Sequence, residues 1–314
     1  MNQSVRERIG LSVQPQEPAK LVETLVEIEK VGVSHIWIGG APWEPDILTV
    51  LTAAAMRTTR LKMGTAIIQA FARHPVFLAL QASSFHALAP GRLQLGIGAS
   101  SPLYAKRAYG IEMDAPFAYL REYMQVLRPL LHEGAVRHQG RFLTTDIELP
   151  TTAPIPLLMA ALGPKAFRLA GEIADGAISA MCPVPYLLHT ALPALQEGAT
   201  RAGRKCPRLV AHVPVVFTED RETALQIGRQ AMRIYTTRPN YRTMFVAAGF
   251  SLAEIEAVSE RLVESLLVYG DERRIRERLL ELLHTEIDEL TVGLIPVADA
   301  AQEALRLARL IGEW

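Results

Sequence analysis

Ala160-Ala161-Leu162-Gly163-Pro164-Lys165 is the stretch of this 314-residue chain whose residue types point most directly to binding chemistry. An apolar run ends there in a corner of small residues, and a proline opens the next segment. Gly163 carries no side chain, so a ligand can approach the backbone. Pro164 suits the first position of a helix, where its missing N–H costs nothing and its φ is preset. The free N–H groups of such a helix start, backed by the positive end of its dipole, form an anion site that suits a phosphate. Lys165 can add charge. The same residues also make an efficient strand-to-helix turn, so the stretch alone leaves both readings open.

A second group is Gly96-Ile97-Gly98-Ala99-Ser100-Ser101. Glycines at alternate positions at the end of an apolar run admit close approach by a ligand or by a neighbouring strand. The GxGxxG pattern and its acidic partner are absent, so this is no dinucleotide fingerprint. A third group is Gly39-Gly40-Ala41-Pro42-Trp43-Glu44. Trp43 can stack on a substrate or cap the core at a loop. Glu44 reads as a helix-start residue beside the positive end of the dipole. His74, just before Pro75, reads as a capping or packing residue. His35, inside a strand, reads as a satisfied core histidine.

The two cysteines, Cys182 and Cys206, form neither a metal spacing nor a disulfide framework. Cys182 follows a strand and is a candidate pocket residue, but a lone thiol without a base is weak evidence for a nucleophile. The spacing indicates no Ser-His-Asp arrangement and no metal cluster.

These residues must be positioned by the elements around them. Apolar, β-branched runs begin at residues 9, 33, 61, 92, 155, 176, 208 and 287. Helical patterns separate nearly all of them, at 17–31, 44–56, 75–88, 119–132, 164–174, 185–202, 221–235 and 271–283, with a last one at 298–311. Eight strands alternating with helices predict a parallel sheet covered on both faces. The length fits an α/β fold of the (β/α)₈ barrel type, with an open doubly wound sheet as runner-up. Two stretches exceed a minimal barrel: 99–118 after the fourth strand and 236–270 after the seventh. Both fall on the C-terminal rim, where barrel sites sit. Gly163, Gly98, Gly39 and Trp43 all map to that rim. The basic run 201–208 precedes the seventh strand and reads as a solvated surface on the opposite face.

Lys+Arg and Asp+Glu number 33 each, so the net charge is zero and nothing global points to nucleic acid or an anionic membrane. Residues 1–14 lack the apolar core of a signal peptide, and no apolar run approaches the ~20 residues of a membrane helix. The expectation is one domain over residues 1–314, in a reducing cytoplasm, with no metal.

Three segments together carry a resemblance. They are 63–100, with Arg73-His74-Pro75 and Gly91-Arg92 before LGIG; 121–142; and 157–179, with AALGPKAFRLAGEIADG. In this order and spacing the chain resembles the bacterial-luciferase-like family of flavin- and deazaflavin-dependent oxidoreductases, over residues 9–294. The AALGP…AGEIADG form resembles the branch that uses coenzyme F420, a 5-deazaflavin, with FMN as the alternative cofactor.

The resemblance implies a barrel with the cofactor at the C-terminal ends of the strands, and hydride transfer to or from a small organic substrate stacked on it. It implies a non-prolyl cis peptide at Ala66–Ile67. It further implies cofactor contacts from Thr65, Ala66, Ile67, Gly98, Ala99, Ser100, Ala161, Leu162, Gly163, Pro164 and Lys165, with Gly39, Trp43, Ser101 and Cys182 on the substrate side. Many relatives carry Asp, Glu or His where this chain has Gly39-Gly40. A Glu of the sugar-phosphate dehydrogenases matches Ser101. The usual acid/base groups are therefore missing and the catalytic residues unassigned. An FMN-dependent monooxygenase and a cofactor-binding barrel with little catalysis stay open beside the F420 reading. Arg233, Arg238 and Arg242, around the second insertion, are placed for an anionic substrate or the acidic F420 tail. Homo-oligomers, often dimers, are expected, with 48–56 and 78–88 as candidate faces.

Overall fold

The fold is that of a computed structural model describing residues 4–99 and 102–314. Eight strands form the barrel: β1 (Ile9–Val13), β2 (His35–Ile38), β3 (Lys62–Thr65), β4 (Leu93–Gly98), β5 (Leu157–Ala160), β6 (Gly176–Ser179), β7 (Arg208–Val216) and β8 (Glu289–Leu294). Each pairs in parallel with the next, and β8 pairs with β1 to close the ring. The doubly wound alternative is excluded by that closure. Helices connect the strands and cover the outside, so the outer faces of the strands are apolar, as their apolar runs predict.

Alternate residues of each strand point inward. Trp37 of β2, Leu158 of β5, Ile178 of β6 and Val210 of β7 pack together in the centre. Trp37 is fully buried, and its ring occupies the space a side chain on Gly64 would need. Below this layer, toward the N-terminal end, the interior is polar. The Trp37 Nε1–H donates to Glu289 Oε1 at 2.7 Å, His35 Nε2 lies 3.1 Å from the same oxygen, and Arg208 Nη1 donates to Glu289 Oε2 at 3.0 Å. Arg208 also donates to Gln94 of β4. Burial alone would raise the Glu289 carboxyl, but His35, Arg208 and Trp37 together hold it below the usual carboxylate range.

Several expectations change. The run 201–208 is not only a solvated surface: Arg208 enters the barrel, and Arg204 pairs with Asp175 at 3.4 Å. Helix Ile47–Ala55 starts later than expected, because Asp46 caps it through Thr49 N–H at 2.9 Å, while Glu44 accepts from the Ala41 N–H and closes the loop. The single helix expected at 185–202 is broken into Val184–Tyr186, a π-turn at Leu187–Ala191 and Leu192–Arg201. Pro193 lacks the N–H that a regular helix would require there. An antiparallel hairpin, Ala135–Gln139 with Thr144–Glu148, precedes β5 and was hidden by its polar sequence. His74 caps helix Pro75–Leu88, its Nδ1 accepting from Val76 N–H at 3.3 Å.

Candidate site at the barrel mouth

One residue above the Trp37 layer, the inward row changes character. Ser12, Gly39, Ala66, Ala160, Ala180 and His212 occupy it, and each is half-buried, whereas Trp37, Leu158 and Val210 beneath have no exposure. Solvent therefore enters the barrel from its C-terminal end and stops on a floor of mostly small side chains. A flat ring can rest on such a floor.

The peptide bond Ala66–Ile67 is cis, and it forms one side of the mouth. Gly39 lies against it so closely that a Cβ there would collide with the Ala66 carbonyl oxygen. Position 39 thus admits no acid or imidazole in this backbone arrangement. A Cβ on Gly98 would lie 2.9 Å from that of Ala160 and 3.2 Å from Ile67 Cδ1, so Gly98 lets these neighbours meet. Ala99 is half-buried beside it. Thr65 does not line the mouth. It is fully buried, its hydroxyl donating to the Gly96 carbonyl and accepting the Gly96 N–H, both at 2.9 Å. It clamps β3 to β4 from behind. Ser100 and Ser101 lie outside the described residues.

Next to this floor, β5 leads through Ala161 and Leu162 into helix Pro164–Ile173. Ala161 is buried, its N–H donating to Ile178 O at 3.0 Å. Tyr186 Oη donates to Leu162 O at 2.8 Å and pins the corner. Gly163 is the N-cap, with φ −90° and ψ 163°, and no side chain caps the helix. That backbone conformation is open to any residue, and a Cβ would meet nothing within 4 Å. The fold therefore does not require glycine at 163. Lys165 is exposed at the helix start.

Loops from three strands build a wall above the floor. Trp43, after β2, is 70% exposed and meets Tyr104 edge-on at 5.2 Å between ring centroids. Tyr104 sits on helix Pro102–Tyr109, in the first insertion. Arg238, in the second insertion, donates to Tyr104 Oη at 2.9 Å and stacks on the Tyr104 and Tyr235 rings. Among the described residues it has no carboxylate partner, whereas Arg242 is paired with Glu256 at 2.9 Å. Cys182, after β6, is buried, its Sγ 3.7 Å from Ala180 O. Burial pushes its thiol up to about 12, which favours the neutral thiol over the thiolate.

Sequence reasoning missed His212 and Tyr104. His212 had a legible signal, since Arg208 and His212 share the parity of the inward face in an otherwise apolar strand. Tyr104 had none, because its role depends on how an insertion folds back. Among the described residues, no group of three or more His, Cys, Asp or Glu side chains is placed to hold a metal. An open cleft of about 550 Å³ lined by Glu133, Gly134 and Glu148–Thr152 lies at the base of the hairpin, away from the mouth.

Closure, small-residue floor and uncapped helix start together define a (β/α)₈ barrel whose candidate site is its C-terminal mouth. The luciferase-like monooxygenase family model matches residues 4–289. An F420-dependent glucose-6-phosphate dehydrogenase of Nakamurella multipartita is 33% identical over 230 residues, 68% of each chain. An F420-dependent secondary alcohol dehydrogenase, solved with an F420–acetone adduct, superposes with a TM-score of 0.80 at 19% identity, covering 98% of this chain and 97% of that one. The FMN-bound oxygenating constituent of 3,6-diketocamphane monooxygenase from Pseudomonas putida superposes with a TM-score of 0.73 at 17% identity, covering 98% and 97%. This chain belongs to the luciferase-like monooxygenase family, and it is an enzyme.

Proposed function

We propose that the protein is an F420-dependent oxidoreductase acting on a small organic substrate. The observation that carries this reading is the pairing of a small-residue floor beside Ala66–Ile67 with an uncapped helix start at Gly163, where glycine has no structural reason to be. Such a pair suits a flat ring joined to a phosphate-bearing tail. The F420-dependent name of a relative 33% identical supports the deazaflavin over FMN.

In this reading Ala66, Ile67, Gly98 and Ala99 border the ring, with Thr65 holding β3 and β4 in place behind them. Ala161, Leu162, Gly163, Pro164 and Lys165 hold the phosphate. When bound, the deazaflavin supplies two-electron hydride chemistry. Trp43, Tyr104 and Arg238 bound the substrate space beside Gly39, and the unneutralised guanidinium of Arg238 suits an anionic group on the substrate or the cofactor tail.

The test is a fluorescence titration of the apo-protein with F420 and, separately, FMN. Micromolar or tighter F420 binding with FMN at least tenfold weaker is the expected result. The reverse preference, with oxygen uptake on turnover, would assign the protein to the FMN monooxygenases, which the FMN-bound structural likeness keeps as the second reading. Binding of neither would overturn the phosphate role of Gly163.

A further inference from the structure

Among the inward-facing residues named at the mouth, one side chain is able to exchange a proton. The inward row above Trp37 presents Ser12, Gly39, Ala66, Ala160, Ala180 and His212, of which only His212 carries an acid–base side chain. Its inward direction follows from strand parity. Val210 belongs to the central apolar layer, and Arg208 reaches Glu289 and Gln94 across the interior. His212 is the next residue of that face, one step closer to the mouth.

Its surroundings are built for an imidazole. The ring lies over Gly293 of β8, with Nε2 only 2.6 Å from where a Cβ would stand, so any side chain at 293 would displace it. Ser12 of β1 is in register with Gly293, and Thr291 with His212. Neither His212 Nδ1 nor Thr291 Oγ1, both buried, has a hydrogen-bond partner. Buried polar atoms are nearly always satisfied, so two orphans on adjacent inward positions call for a polar occupant of this space. Burial lowers the imidazole to about 4, which keeps it neutral and leaves a lone pair available at working pH.

We propose that His212 is the acid–base residue of the site, exchanging a proton with the oxygen of an alcohol or carbonyl substrate. This rests on the F420 reading above. In the oxidising direction the carbinol C–H bond breaks and its hydrogen leaves with both electrons, as a hydride that a bound oxidised deazaflavin would accept. The O–H bond breaks and its electron pair becomes the second C=O bond. The proton goes to the imidazole lone pair, and the imidazolium releases it to solvent through the mouth. In the reducing direction a bound reduced deazaflavin would supply the hydride, and a proton taken up from solvent would pass through His212 to the carbonyl oxygen.

The experiment is ¹⁵N NMR of histidine-labelled protein at pH 7, alone, saturated with F420, and then with millimolar trifluoroethanol as a hydroxyl donor. The His212 signals are those lost in His212→Gln, or in His212→Asn if the first variant fails to fold. The expected result is a trifluoroethanol-dependent shift of one His212 ring nitrogen by several linewidths in the F420 complex, with the other seven of the eight histidines unmoved. F420 saturation with no shift at His212 overturns the proposal and leaves the cofactor reading intact. Failure of F420 to bind overturns the cofactor reading, and this assignment with it.

Discussion

Gly163 and Gly39 are glycines for opposite reasons. At 39 the space is taken by the Ala66 carbonyl, so packing excludes a side chain. At 163 the space is empty and the backbone ordinary, so packing explains nothing. Gly163→Ala is therefore expected to leave stability within about 0.5 kcal/mol of the parent, as other surface changes do. F420 affinity should fall at least tenfold, because the new methyl stands where a phosphate would approach the helix start. Urea denaturation and fluorescence titration of the same sample check both halves, and an unchanged Kd sinks the phosphate role.

At the scale of elements, the barrel's lower end is tied across its interior. Glu289 of β8 receives Trp37 from β2 and Arg208 from β7, with His35 of β2 3.1 Å away and Gln94 of β4 bound to Arg208. A buried carboxylate in such a set contributes little over an apolar replacement of the whole group, but removing it alone strands the buried partners. Glu289→Leu should destabilise by about 3 kcal/mol or more, and Glu289→Gln by less, since it still accepts from Trp37. The comparison is made by urea denaturation at pH 7. Equal losses for the two variants would refute the charge argument.

For the whole molecule, the buried His212 imposes a pH dependence. Its imidazole is held neutral down to about 4 in the fold, against about 6.5 in the unfolded chain. Between those values the unfolded state binds more protons, so stability rises with pH through that window. The penalty is absent above about 6.5 and reaches about 3 kcal/mol below about 4. Denaturation midpoints at pH 7 and pH 5 should differ in the parent, and the difference should shrink in His212→Gln. Self-association is a second global property. The expected faces at 48–56 and 78–88 each turn one side into the core, with Leu48, Leu51, Leu78 and Phe85 buried. The exposed apolar residues nearby are Met56, Phe77, Leu80 and Leu88, and we propose these as the contact between two copies. Light scattering should give twice the chain mass, and Phe77→Glu with Leu88→Lys should give the monomer. Among the described residues, no helix is long and apolar enough to cross a membrane.

The eight strand runs, the Gly-Pro corner and the His74-Pro75 cap were legible in the linear chain, because apolar periodicity and the chemistry of proline and glycine act over a few residues. The Ala66–Ile67 geometry was legible through resemblance alone. Ring closure, the layer above Trp37, the collision that fixes Gly39 as glycine and the Trp43–Tyr104–Arg238 wall join residues tens to hundreds of positions apart. No local pattern encodes such meetings, because they depend on strand register and on how two insertions fold back. His212 shows the division within one side chain. Its strand parity was written in the sequence, but its burial over Gly293, its missing partner and its place at the mouth exist only once the barrel closes.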